Sequence, residues 1–261
     1  MTSRSFVSRS LVPIIALLLL VAPVGAAEIH VMTSGGFTAA YDELRPQFER
    51  ATGNKVETAY GASMGGAPDS IPSRLDRGEP ADIVILAAPA LDALIQQGKV
   101  LPGSRVDLVR STIGMAVRSG APKPDISTVE ALKRTLLDAK SIAYSASASG
   151  VYISTEMLQT LGIADQVMPK AKRIVSERVG TIVARGEAEL GFQQVSELLP
   201  ITGIDYVGPL PEPVQRVTIF SAGIAAKARE PQAARALIAF FVSREAAPTI
   251  AKTGLEPLTA R

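Results

Sequence analysis

From Glu28 onward, short runs rich in Val and Ile alternate with stretches in which apolar residues recur every three or four positions. That alternation predicts an α/β chain with largely parallel strands. Residues 29–32 form the first expected strand, 55–60 the second and 82–86 the third, the last an uninterrupted apolar run suited to burial on both faces. Between the first two, Ala40, Leu44 and Phe48 lie four apart on one face of a helix expected to start near Thr38 and to stop at Gly53. Pro46 falls inside that pattern and should kink it, because it withdraws a backbone donor. A helix from Pro89 through Leu91, Leu94 and Ile95 ends at Gly98, and residues 106–117 read as a longer strand interrupted by Gly114.

Beyond Pro122 and Pro124 the same grammar restarts. Helices are expected at 127–137, from Gly150 to Leu161 and at 178–185, with strands at 141–144, 173–175 and 190–192. A second long strand over 214–225 follows the Pro209, Pro211 and Pro213 cluster, and a helix at 233–242 buries Ala236, Leu237 and Phe240. The economical architecture is two α/β lobes joined by two crossing strands. Residues 27–110 and 222–261 make lobe 1, and residues 111–221 make lobe 2. Such a chain carries a cleft between its lobes, where small ligands usually sit.

Composition narrows the function. The 261 residues are 47% apolar and 20% charged, with a single His and neither Cys nor Trp, so disulfides, Cys-based zinc sites and metal or cofactor dependence are not expected. Arg4 and Arg9 precede an apolar run at 11–22 and the small residues 23–27, the pattern of a secretory signal peptide (residues 1–26) cleaved after Ala26 or Ala27. The apolar run is shorter than the roughly 20 residues that span a bilayer. Without those 26 residues the chain is 235 long and carries 25 basic and 25 acidic groups, a balance that offers nucleic acid no basic footprint. A soluble, periplasmic monomer without a lipid anchor is expected.

Three strand-to-helix turns are rich in hydroxyl and small residues: Thr33, Ser34 and Gly35; Ser63 and Met64 within residues 61–66; and Ser147, Ser149 and Gly150 within 145–150. Unpaired N–H groups at helix starts, approached closely at Gly, can cradle an anion. Ordinary capping by Ser and Thr is the plainer account of any one turn. Residues 61–65 also spell the G-x-S-x-G elbow of serine hydrolases, which makes a secreted hydrolase using Ser63 the alternative. Its triad requires a His after the nucleophile, whereas the lone His30 precedes it. Arg178 at a helix start is a candidate for gripping a carboxylate, Gln194 sits at a strand end where ligand contacts gather, and Tyr152 offers a hydroxyl.

Residues 33–35, Leu44 to Phe48, 60–63, 78–83, 149–152 and 184–191, taken in order, give the chain a resemblance to the type II periplasmic solute-binding proteins, and within them to the molybdate-binding family of ABC importers. The resemblance implies a small anion held between two lobes by neutral donors, delivery to an ABC permease in the inner membrane, and no catalysis. By position it puts the contacts near Ser34, Ser63, Ser149 and Ser176. Gln194 stands where the family has Tyr, and glycines occupy positions 35, 36, 65 and 66. With Arg178 nearby, these departures favour a small organic acid over molybdate.

Overall fold

The computed structural model describes residues 25–64 and 66–259. The expected signal peptide therefore lies outside the described residues except for its last two, as does Gly65.

Two mixed sheets organise the chain. The first contains β1 (Glu28–Ser34), β2 (Lys55–Gly61), β3 (Ile83–Ala87), β4 (Val106–Ser111), β10 (Thr218–Ile224) and β11 (Glu256–Pro257), in the order β11-β4-β10-β3-β1-β2. The second contains β5 (Ile113–Arg118), β6 (Ile142–Ser145), β7 (Ala171–Ile174), β8 (Leu190–Gln194) and β9 (Ile204–Pro209), in the order β7-β6-β8-β5-β9. Strands β1, β2 and β3 run parallel, as do β6, β7 and β8. The strands that begin or end at a passage between the sheets pair antiparallel, because the chain enters each sheet from the other lobe's side. Every residue of β3 is buried, as its unbroken apolar run requires.

Helices α1 (Gly35–Thr52), α2 (Ile71–Asp76), α3 (Ala88–Gln96), α10 (Pro231–Phe241) and α11 (Ala247–Lys252) belong to the first lobe. In the second lie α4 (Val129–Asp138), α5 (Ala148–Tyr152), α6 (Leu158–Thr160), α7 (Ala164–Val167), α8 (Val179–Ala184) and α9 (Val195–Leu198). Helix α1 buries Phe37, Ala40, Tyr41, Leu44 and Phe48 along one stripe and ends at Gly53, whose φ of 75° closes the helix through a bond from its N–H to the Glu49 carbonyl. Phe37 and Tyr41 pack on Phe241 of α10, the former edge to face at 5.3 Å. The helix continues through Pro46 and starts three residues earlier than its apolar period announces, at two glycines that are poor helix formers. Helix α4 is capped by Thr128, whose Oγ1 accepts the Ala131 N–H.

The helix expected from Gly150 to Leu161 is divided instead. Between α5 and α6, residues Ile153–Met157 form a wider π turn. There Ser154 and Thr155 donate their hydroxyls back to the carbonyls of Gly150 and Val151, competition with the regular ladder that short hydroxyl side chains invite. The chain passes between sheets at Thr112, the one residue separating β4 from β5. It returns through a helical turn at Glu212–Val214 and irregular residues before β10, so the second crossing run is extended only from Thr218 onward. Among the described residues no helix is long and apolar enough to cross a membrane.

Candidate functional site

The C-terminal ends of β1, β2, β6, β7 and β8 point toward one another across the space between the sheets, the edge at which parallel strands present ligand contacts. A cavity of about 410 Å³ lies there. Lobe 1 lines it with Ser34, Gly35, Gly36, Thr38, Asp42, Tyr60 and Asp69, and lobe 2 with the 145–149 turn, the 174–178 segment, Gln193, Gln194 and Glu197. Ser34 is the N-cap of α1, yet its hydroxyl does not cap the helix and, although buried, has no hydrogen-bond partner. Opposite it the Ser145 and Ser149 hydroxyls meet at 3.1 Å, and the Ser147 N–H reaches Ser145 Oγ at 3.3 Å. The lobes touch across the opening, where Ser176 Oγ donates to Asp69 Oδ1 at 3.2 Å.

Charge in the cavity is sharply sorted. Glu177 is paired with Arg185, which holds its carboxyl below the usual range. Asp42 accepts the Tyr60 hydroxyl at 2.5 Å; loss of solvent and this bond push the phenol up to about 12. Arg178, at the start of α8, accepts the Thr181 N–H with its carbonyl, while its guanidinium makes no hydrogen bond or ion pair among the described residues, although its field reaches Tyr60 and Glu197. Glu197 lies at the inner wall. Desolvation pushes its carboxyl up to about 7, against the opposing pull of Arg178, of the Gln193 side-chain amide and of the Gln194 backbone N–H.

That position is built from the backbone outward. Gln194 and Glu197 stand at the N-cap and third position of α9, so the carboxyl folds back on the helix start as in a capping box. Gln193 Oε1 accepts the Val179 N–H at 2.9 Å, which turns its amide nitrogen to Glu197 Oε1 at 2.8 Å. On the far side a β-carbon on Gly35 would come within 2.0 Å of Glu197 Oε1, so only glycine leaves the carboxyl its room.

The cavity gathers Ser34, Gly35, Ser147, Ser149, Ser176, Arg178 and Gln194. Thr33, Ser63, Met64, Gly150 and Tyr152 lie outside its lining. Thr33 is fully buried in the sheet, and Gly150 packs its α-carbon against the Ser145 carbonyl. Tyr152 donates to the Val214 carbonyl at 2.9 Å beneath the Arg216 guanidinium. Ser63 is buried, with its hydroxyl accepting the Ala87 N–H at 2.9 Å, and no helix directly follows it. His30 lies early in β1, beside Asp82 and Glu28, while Ser34 ends that strand. The elbow of a serine hydrolase is therefore not formed, which corrects the alternative reading of Ser63. Gln194 has both ends of its amide engaged: Oε1 accepts from Ser111 at 2.8 Å and Nε2 donates to Thr218 Oγ1 at 3.0 Å. It thus ties together the two strands through which the lobes connect.

Residues 29–256 match the family model of the bacterial extracellular solute-binding proteins. The chain belongs to that family. It is 28% identical to the molybdate-binding protein of Azotobacter vinelandii, over 88% of this chain and 90% of that one. The solved molybdate-binding protein of the same organism superposes with a TM-score of 0.69 at 20% identity, covering 89% of this chain and all of the other, which supports the two-lobed fold. A much stronger similarity, 48% identity over 94% of this chain and 95% of the relative, is to the aconitate isomerase of a Pseudomonas species. That relative is an enzyme, and the finding overturns the expectation of a protein without catalysis.

Proposed function

We propose that this chain captures a small polycarboxylate, with aconitate as the ligand, between its lobes and isomerises it there. The observation that carries this reading is Arg178, an unpaired guanidinium on a cavity wall whose other donors are hydroxyls and the start of α1. A cation in a partly desolvated cleft is costly until an anion joins it. Its planar fork sets two N–H groups against the two oxygens of a carboxylate. A molybdate-like oxyanion can be satisfied by neutral donors alone, and the similarity to an aconitate isomerase supports the carboxylate.

Aconitate carries a carboxymethylene arm beside a double bond. Removing a proton from the methylene and returning one to the far alkene carbon moves the double bond along the skeleton. Because the two ends of the skeleton are alike, the product's geometry is set by how the arm is held when the proton leaves. The step balances in protons alone, and a closed cleft keeps water from the carbanion-like intermediate. We place the protein in the periplasm as a soluble monomer after removal of residues 1–26, with delivery of the bound acid to an ABC permease as a second role, supported by the family.

Calorimetry with trans-aconitate, cis-aconitate and molybdate tests the ligand. Saturable binding of aconitate with weaker or no binding of molybdate is the expected result. Molybdate binding that no carboxylate displaces would contradict it.

A further inference from the structure

We infer that Glu197 is the catalytic residue that carries the proton, its carboxyl held at the inner wall of the cleft by Gln193, the Gln194 N–H and the glycine at position 35. This rests on the isomerase reading above and assigns it a residue.

The cavity offers four carboxyl groups, and three are otherwise engaged. Asp42 accepts the Tyr60 hydroxyl, Asp69 accepts Ser176 at the opening, and Glu177 is held by Arg185. Glu197 forms no ion pair among the described residues. Its fixed partners are neutral donors, and Arg178 acts on it only through its field. The first turn of α1, packed against it, carries no acidic side chain, and Ser34 at the helix start turns an unpartnered buried hydroxyl into the same cavity.

A base that must take a proton from carbon and give one back works best when both its forms are populated at the working pH. Burial favours that condition here, since loss of solvent pushes the Glu197 carboxyl up to about 7. In the reaction, Glu197 takes the methylene proton, and the electron pair spreads over the allylic carbons into a substrate carboxylate facing Arg178. The protonated carboxyl then returns a proton to the far carbon, which restores Glu197 and consumes no co-reactant. Gln193 is a positioning residue: anchored on the Val179 N–H, it aims its amide at Glu197 Oε1 and favours the ionised form.

The test measures trans-to-cis conversion and calorimetric binding of trans-aconitate for the wild type, Glu197→Gln, Gly35→Ala and Gln193→Leu. Glu197→Gln should lose roughly 10²–10⁴-fold in kcat, the usual contribution of general acid–base catalysis, while Kd stays within about threefold of wild type. Gly35→Ala should lose turnover in the same way, because the added methyl displaces the carboxyl. Gln193→Leu should move the acidic limb of the kcat profile to higher pH with binding retained, a shift that a purely structural role would not produce. A Glu197→Gln protein within tenfold of wild type, or one that loses binding together with turnover, would overturn the role of Glu197 and leave the isomerase reading standing. A wild type that binds aconitate without converting it would overturn the isomerase reading and this inference with it.

Discussion

Arg178 and Asp82 show how little a residue's charge says until its partners are known. Asp82 is buried and fully used: Oδ1 accepts the N–H groups of Arg229 and Glu230 at 2.6 and 2.9 Å, and Oδ2 accepts that of His30 at 2.8 Å. Asp82→Ala strands three donors and should cost about 3 kcal/mol or more in urea unfolding. The Arg178 guanidinium has no partner among the described residues and carries a desolvation cost, so Arg178→Ala should not lower stability in urea unfolding while weakening carboxylate binding by roughly 1.5–3 kcal/mol in calorimetry. Glu197 adds a pH signature. Its carboxyl titrates near 7 in the fold, above an unfolded value near 4.3, so the native state holds the proton more tightly between those limits. The resulting stabilisation is complete below about pH 4 and is lost as pH rises through 7. Glu197→Gln should flatten that loss, on the order of 2 kcal/mol, in unfolding curves measured at pH 5 and pH 8.

Elements carried most of what could be read in advance. The strand at 82–86 announced itself because burial on both faces demands a continuous apolar run, the partly exposed edge strand at 55–60 showed only through its Val, Thr and Tyr, and Gly53 and Gly98 marked helix ends by the φ they permit. Strand β9 was missed because Pro209 and the glycine before it read as turn residues, although an edge strand tolerates both. Helix α9 was missed because four residues are too few to show a period. With it went Glu197, and the only available signal was the three-residue spacing from Gln194 that marks a capping box. The hydroxyl turns at 33–35 and 145–150 were legible, whereas the G-x-S-x-G turn resembled a catalytic one only because a short motif does not say where a serine points. Gln194 likewise reads as a ligand contact, yet it fastens β4 to β10 through Ser111 and Thr218. Gln194→Leu should leave both hydroxyls unpartnered and lower stability by about 1–3 kcal/mol in denaturant titration.

At the scale of the molecule, capture and proton transfer ask for the same motion. Donors on both lobes reach one ligand only when the lobes close, and closure removes the water that would quench a carbanion. The Ser176–Asp69 contact joins the two lobes at the opening. Aconitate at about 1,000 times its Kd should raise folding stability by roughly 4 kcal/mol through mass action. Small-angle scattering should show compaction on its addition. The most direct test of the account is a proton NMR time course of trans-aconitate with the purified protein. The account predicts growth of cis-aconitate to a fixed ratio that is also reached from the cis side, and almost none with Arg178→Ala at subsaturating substrate. Unchanged trans-aconitate alongside tight binding of molybdate would contradict it.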